Sequence, residues 1–273
     1  MKPGHASLHA PAARQPRAVI VSRKSLYTLL LERHGTLGQA EFYLKSRGES
    51  VAPYAEAHER VEVALHTVDA SLAPDQRRTR VDRDDLERFL FAPDDVVMIV
   101  GQDGLVPNVA KYLSGQPVIG INPDPQRYDG VLSAHRPEQA SSALLWLQSQ
   151  NGRFRIQQRV MARALREDGQ TLLALNEVFV GHRTHQSARY RITIHDASRD
   201  KSENHSSSGV ICATGTGATG WARSIAEQRA IRQPLPSPES PRLAWFVREP
   251  FPSVATTTAL NFGILSSGST INA

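Results

Sequence analysis

The stretch that most constrains this chain is Val96–Gly104, which reads Val-Val-Met-Ile-Val-Gly-Gln-Asp-Gly. An apolar run this short and this rich in β-branched residues reads as a buried strand of a parallel sheet. It ends in glycines on either side of Asp103. The following residues, Leu105–Leu113, can start a helix, with Pro107 tolerated in its first turn. Strand, Gly-rich turn and helix together place polar chemistry at the carboxyl edge of an α/β sheet. Glycine lets backbone approach a phosphate, and a helix start offers unpaired N–H groups. Asp103 is then a base, a metal ligand or a turn-former. A plain Asp-Gly turn after a core strand is the simplest account of the local pattern alone.

The flanking sequence extends this unit. Ala18–Val21 predicts a first strand, followed directly by Arg23 and Lys24. These two cations are placed to meet a phosphate or are simply solvated. Ser25–Arg33 and Leu37–Arg47 predict helices, the second stopped by Gly48. Val61–Val68 predicts a second strand, Asp82–Phe91 a charged amphipathic helix, and Pro117–Asn122 another short strand. Strands alternating with helices predict a doubly wound, mostly parallel sheet over residues 18–135. Asn122–Gly130 is a loop rich in turn-formers. Pro137–Gln150 predicts a helix ended by Asn151–Gly152.

The pattern then changes. Arg155–Leu165, Leu172–Val180, Ala188–His195, Gly209–Ala213, Leu243–Val247 and Ala259–Ser266 favour strands. Helical spacing is confined to Trp221–Arg232. Residues 136–273 therefore predict a β-rich, sandwich-like domain. Asp200–Ser208 and the proline-rich Arg232–Arg242 predict surface loops.

Composition narrows the function. Net charge is +5 from 32 basic and 27 acidic residues, too little for a nucleic-acid binder and without a basic stripe. Lys2, Arg14 and Arg17 lie in a proline-containing stretch, residues 1–17, that predicts a disordered tail. No run approaches the roughly 18 apolar residues of a membrane span. A lone cysteine, Cys212, excludes an internal disulfide, and a reducing cytoplasm is the simplest setting. The histidines are not read as a transition-metal site. His182 and His185 share a turn with Arg183 and read as solvated.

Two more motifs carry chemistry. Gly215–Gly220 matches G-x-G-x-x-G, but no acidic strand end follows about 20 residues on, so a dinucleotide turn of the doubly wound type is not expected. A Thr/Gly loop contacting a nucleotide in another manner fits better. Leu175-Asn176-Glu177-Val178 sets an amide beside a carboxylate within an apolar strand, where one of them needs a hydrogen-bonding partner. An ordinary edge strand is the plain alternative. Trp221 alone reads as a core residue.

Taken in order, these motifs resemble the NAD kinases. Gly101-Gln102-Asp103-Gly104 is similar to that family's Gly-Gly-Asp-Gly loop, Asn176-Glu177 to its Asn-Glu pair, and Thr214–Gly217 to its Thr-rich Gly loop. Leu31–His34, Ala174–Gly181, Thr214–Trp221 and Arg248-Glu249-Pro250 resemble the mitochondrial-type branch. The resemblance runs from about Ala18 to the end. It implies an α/β domain, a β-rich domain and an active site in the cleft between them. The activity implied is phosphoryl transfer from ATP or another donor, with Mg²⁺, to the adenosine ribose 2′-hydroxyl of NAD, giving NADP.

By position, the resemblance makes Asp103 the base. Gly101, Gln102, Gly104 and Asn122 would contact substrate from the first domain. Asn176 and Glu177 would hold the adenosine part, while Thr214, Thr216, Gly217, Thr219 and Trp221 would line the same pocket. The partners expected are NAD and ATP, with no nucleic acid and no membrane, and the assembly expected is a homodimer. Gln102 stands where the family has its second glycine, and Leu105 where it usually has threonine. The alternatives are a catalytically weakened NAD(H)-binding protein of this fold and a diacylglycerol-type lipid kinase. The family usually continues past the equivalent of Ala273, which leaves a natural short form or a truncation.

Overall fold

In the computed structural model, residues 15–149, 155–195 and 200–273 are described. The chain divides into two compact units, Met1–Phe154 and Arg155–Ala273.

In the first unit, β1 (Ala18–Ser22), β2 (Arg78–Asp82), β3 (Val96–Val100) and β4 (Val118–Ile121) form a sheet in the order β2-β1-β3-β4. All three pairings are parallel. This is the doubly wound arrangement expected from the alternation of strands and helices. Every residue of β3 is buried, as a central strand covered on both faces must be. One face packs Ala18, Ile20, Val96, Met98 and Val100 against Ala64, Leu65 and Val68 of α3 (Ala52–Ser71) and against Ala140, Ala143 and Leu144 of α5 (Ala140–Ser149). Val19, Val21, Val97 and Ile99 on the other face are equally buried, as are Leu105, Val106 and Val109 of α4 (Leu105–Ala110). Two short helices, α1 (Leu26–His34) and α2 (Leu37–Lys45), follow β1. Each starts at a hydroxyl cap: Ser25 accepts from the Thr28 N–H and Thr36 from the Gln39 N–H, as N-caps do.

Several expected elements differ. Val61–Val68, expected as a strand, lies inside α3. Its apolar residues Val61, Ala64, Leu65 and Val68 recur at i, i+3, i+4 and i+7, which is one helix face, and the exposed Val63 lies off that face. β-branched content was outweighed by this spacing. Asp82–Phe91 is not a helix. Asp82 closes β2 and caps a single 3-10 turn, Arg83–Asp85. β2 escapes a pattern search because it is an edge strand whose only buried residue is Val81. Arg17, expected in the tail, instead clamps the buried Asp95 carboxylate with Nε–Oδ1 and Nη2–Oδ2 distances of 2.9 and 2.6 Å. The rest of that tail up to residue 14, and the Asn151–Gly152 helix stop, lie outside the described residues. The helix expected from Pro137 begins as a 3-10 turn, Pro137–Gln139, and continues as α5. α5 packs with the first unit, whereas residues from 136 onward were expected in the β-rich half.

The second unit is antiparallel. β7 (Glu177–Val180), β10 (Gly209–Ala213), β11 (Leu243–Arg248) and β12 (Phe262–Leu265) form one sheet, ordered β12-β11-β10-β7. β8 (Ala188–His195), β9 (Lys201–Ser207) and β13 (Thr270–Asn272) form a second, and β5 (Ala162–Leu165) pairs with β6 (Thr171–Ala174). Ile211, Ala213, Ala244 and Phe246 pack on α6 (Trp221–Gln228). Val210, Trp245 and Val247 face the opposite way and meet Ile192 and Ile194 of β8. The alternation along β10 and β11 thus serves two cores. Asp200–Ser208 is not a loop: its polar residues form β9, an edge strand paired along β8, with His205 and Ser207 buried. Only Ala162–Leu165 of the expected Arg155–Leu165 strand forms, and only Phe262–Leu265 of Ala259–Ser266.

Candidate functional site

Each unit presents one constellation of the expected residues. In the first, the chain leaves β3 at Gly101, whose N–H donates to the Ile121 carbonyl at 3.0 Å. A Cβ on Gly101 would come within 2.9 Å of the Leu105 Cδ2. Leu105, in place of a hydroxyl residue, is therefore the core residue that seats the turn. Gln102 Oε1 accepts from Arg23 Nη2 at 3.0 Å. Gly104 is exposed and accepts the Asn108 side-chain amide at 2.7 Å.

Asp103 is more engaged than a free base. Its Oδ2 accepts the Val131 N–H at 2.8 Å, and its Oδ1 accepts the Leu132 and Ser133 N–H groups at 2.9 and 2.8 Å. A carboxylate offers about four acceptor positions, two per oxygen. Among the described residues Oδ1 is filled, and one position on Oδ2 stays open.

Asn122, expected to touch substrate, is 4% exposed and spends its amide on its own loop. Nδ2 donates to the Tyr128 carbonyl at 2.8 Å, and Oδ1 accepts the Asp124 N–H at 3.0 Å. Gly120 and Gly130 make this loop possible. A Cβ at Gly120 would sit 2.1 Å from the Leu132 carbonyl oxygen, and Gly130 has φ +69°. Asn122 thus shapes the segment that Asp103 holds.

In the second unit, Asn176 and Glu177 do not lie within one continuous strand. The chain breaks at Leu175-Asn176, between β6, which pairs with β5, and β7, which pairs with β10. The break is held from the Thr214 loop. Asn176 O accepts the Thr214 N–H at 2.9 Å, and Leu175 O accepts the Thr214 hydroxyl. That hydroxyl also accepts the Thr216 and Gly217 N–H groups, each at 3.1 Å. Thr214 is fully buried and works as the lock of the loop. Thr216 is also buried, within 3.4 Å of Arg159 Nη1, and Thr219 donates to the Thr216 carbonyl. Gly217 lies so close that a Cβ there would be 2.2 Å from Asn176 O and 2.9 Å from Glu177 Oε2.

The Asn176 and Glu177 side chains are half-buried and have no hydrogen bond or ion pair among the described residues. Burial pushes the Glu177 carboxyl above its ordinary value. A half-buried acceptor beside a half-buried amide, both without partners, is a place where a ligand with hydroxyl or amino donors is expected to bind.

Trp221 is 39% exposed rather than core. It starts α6, lies 5.7 Å from the Phe179 ring, and carries the Arg248 guanidinium 4.8 Å over its face. Phe179 and Arg248 were not singled out for contact with Trp221. The alternation of β7 could have pointed to Phe179, since it shares a face with Glu177. The Gly215–Gly220 turn follows a strand paired antiparallel on both sides, and the chain returns after α6 to an antiparallel neighbour. It is therefore not a dinucleotide turn of the doubly wound type. Gly215 instead lets the Ser237 carbonyl of the proline-rich segment approach.

Elsewhere, a groove of about 650 Å³ lies along α3 and the Pro123–Gln126 segment, and a cavity of about 370 Å³ is lined by Arg229, Arg248, Glu249, Pro250 and Asn261 among others. None of the expected site residues lines either.

A four-stranded parallel unit with a Gly-x-Asp-Gly turn at its carboxyl edge, joined to an antiparallel unit with a Thr/Gly loop locked onto an Asn-Glu break, defines an NAD kinase-like fold. Solved structures share it. An NAD kinase from Archaeoglobus fulgidus in complex with ATP is 19% identical with a TM-score of 0.53, covering 93% of this chain and 79% of that one. Yeast NADH kinase complexed with NADH is 15% identical with a TM-score of 0.53, covering 94% and 72%. No protein-family model and no curated protein matches the chain.

Proposed function

We propose that this chain is an NAD kinase that phosphorylates the adenosine ribose 2′-hydroxyl of NAD, with ATP or another phosphoryl donor. The observation that carries this reading is the open acceptor position on Asp103 Oδ2, on a carboxylate pinned by three backbone N–H groups. A pinned carboxylate can take a proton from a sugar hydroxyl without first being ordered, an effect worth roughly 10²–10⁴ in rate. The ATP and NADH held in the two solved structures support a nucleotide donor and an NAD(H)-type acceptor.

The step balances simply. The 2′-hydroxyl proton passes to Asp103, the oxygen forms a bond to the terminal phosphorus, and the bond from that phosphorus to the bridging oxygen breaks, releasing ADP. Asn176 and Glu177 take the donor groups of the adenosine part, and Gly217 permits their close approach. Trp221 offers an exposed aromatic face. Among the described residues, no group of three or more His, Cys, Asp or Glu is arranged to hold a metal. Mg²⁺ arriving with the donor would neutralise charge on its phosphates.

The test is incubation with ATP, Mg²⁺ and NAD, with NADP read by a coupled dehydrogenase. NADP formation is expected, and phosphorylation of a diacylglycerol is not. NAD binding without NADP formation from either ATP or polyphosphate would overturn the kinase reading in favour of a binding protein.

A further inference from the structure

The sheet order β2-β1-β3-β4 places a reversal between β1 and β3. The chain leaves β1 toward a neighbour on one side and leaves β3 toward a neighbour on the other. In open parallel sheets, ligands bind outside the carboxyl ends of such a pair. Two loops meet there. One carries Arg23 and Lys24 after β1, and the other is Gly101–Gly104 after β3.

The two cations differ. Lys24 is tied to Glu32 at 2.7 Å. Arg23 has no carboxylate partner among the described residues. Its one bond among the described residues is from Nη2 to the neutral Gln102 Oε1 at 3.0 Å, leaving most of its five N–H donors open to a ligand there. The nearby Asp103 carboxylate is held by the Val131, Leu132 and Ser133 N–H groups and makes no bond to Arg23 among the described residues. Gln102 thus orients an exposed guanidinium at the mouth of the turn without neutralising it. A planar fork of free donors on a positive charge suits phosphate oxygens.

We propose that Arg23, steered by Gln102, binds the phosphate chain of the phosphoryl donor. This rests on the kinase reading for its donor but concerns a residue outside the motifs that support that reading. It also gives Gln102 a purpose where a glycine was expected. Its side chain reaches sideways to the end of β1 instead of obstructing the turn.

Calorimetric titration tests it, using Mg·ATP, inorganic polyphosphate and NAD separately, on the unmodified protein, Arg23→Ala, Arg23→Lys and Gln102→Ala. Arg23→Ala is expected to weaken ATP and polyphosphate about tenfold and to leave NAD within twofold. Arg23→Lys should recover part of the loss, and Gln102→Ala should show a smaller one. Both side chains lie at the surface, so unchanged melting temperatures are expected. Unchanged donor affinity in Arg23→Ala overturns the proposal, as does a loss that falls on NAD instead, or an unmodified protein that binds neither donor. If Arg23→Ala weakens ATP but the unmodified protein makes no NADP, the Arg23 assignment stands and the kinase reading fails. If NADP forms equally well with and without Arg23 at limiting ATP, the reverse holds.

Discussion

Asp103 holds Val131: the carboxylate Oδ2 accepts the Val131 backbone N–H at 2.8 Å, on the same oxygen that keeps an acceptor position open. Latch and candidate base are therefore one group, and substitutions can separate the two roles.

Asp103→Asn cannot satisfy all three N–H groups. If its carbonyl oxygen keeps Leu132 and Ser133, its NH₂ faces the Val131 N–H. Losing one charge-assisted bond should cost about 1–3 kcal/mol of stability and speed hydrogen exchange at Val131. NADP formation should fall by roughly 10²–10⁴, with NAD affinity held within a few-fold. Near-normal turnover in a folded variant would leave Asp103 as a latch only.

Glu177 predicts a pH dependence of binding. Its carboxyl is raised above the usual range by burial. A ligand donating hydrogen bonds to it prefers the ionised form, so NAD affinity should rise with pH through that raised value and flatten above it. Glu177→Gln should remove this slope and weaken NAD by an amount corresponding to about 1–3 kcal/mol. In the unliganded protein the sign is opposite. A raised carboxyl adds stability below its ordinary unfolded value, and that stability is lost as pH rises through the folded one. Titrations across pH 4–8 on both proteins check both slopes, and identical curves would detach Glu177 from the ligand.

Gly217→Ala should be more damaging than its size suggests. The new Cβ would fall 2.2 Å from a backbone oxygen of Asn176, which cannot swing aside as a side chain can. The Thr214 lock and the Asn-Glu break would shift together. NAD affinity should drop at least tenfold while the first unit keeps its stability, which differential proteolysis of the two units can follow. Unaltered NAD binding would show that the loop's close approach is not needed for the ligand.

His205 should make the second unit acid-sensitive. Its ring is buried against Tyr190; among the described residues neither nitrogen is hydrogen-bonded, and Glu203 Oε1 lies 3.4 Å away without bonding geometry. Burial lowers its value, with Glu203 opposing. The unfolded chain binds the proton more readily, so stability is full above about pH 6.5 and falls as pH drops toward the lowered value. His205→Phe should flatten that loss in urea unfolding curves. The difference between the two proteins isolates it from His135, whose value burial also lowers. Parallel pH profiles would remove His205 as the cause.

The buried elements were legible in the sequence because period and composition follow burial directly. Val96–Val100 could only be a strand covered on both faces, and Ala18–Ser22, Val118–Ile121, Gly209–Ala213 and Leu243–Arg248 announce themselves in the same way. So do the glycines around Asp103, because these are local requirements of backbone geometry. The edge strands Arg78–Asp82 and Lys201–Ser207 were not legible. Half or more of an edge strand faces water, so its residues look like those of a loop until a neighbour supplies the ladder. Val61–Val68 shows the converse, since β-branched residues accept a helix when their spacing gives α3 a face to bury. What only the tertiary structure decided is which polar groups are already spoken for. Asn122 and Thr214, expected as ligand contacts, already make hydrogen bonds to carbonyl and N–H groups brought in by nearby loops. Asn176, Glu177, Arg23 and one position on Asp103 Oδ2 are left open, because a side chain's free valences depend on neighbours that sequence distance does not reveal.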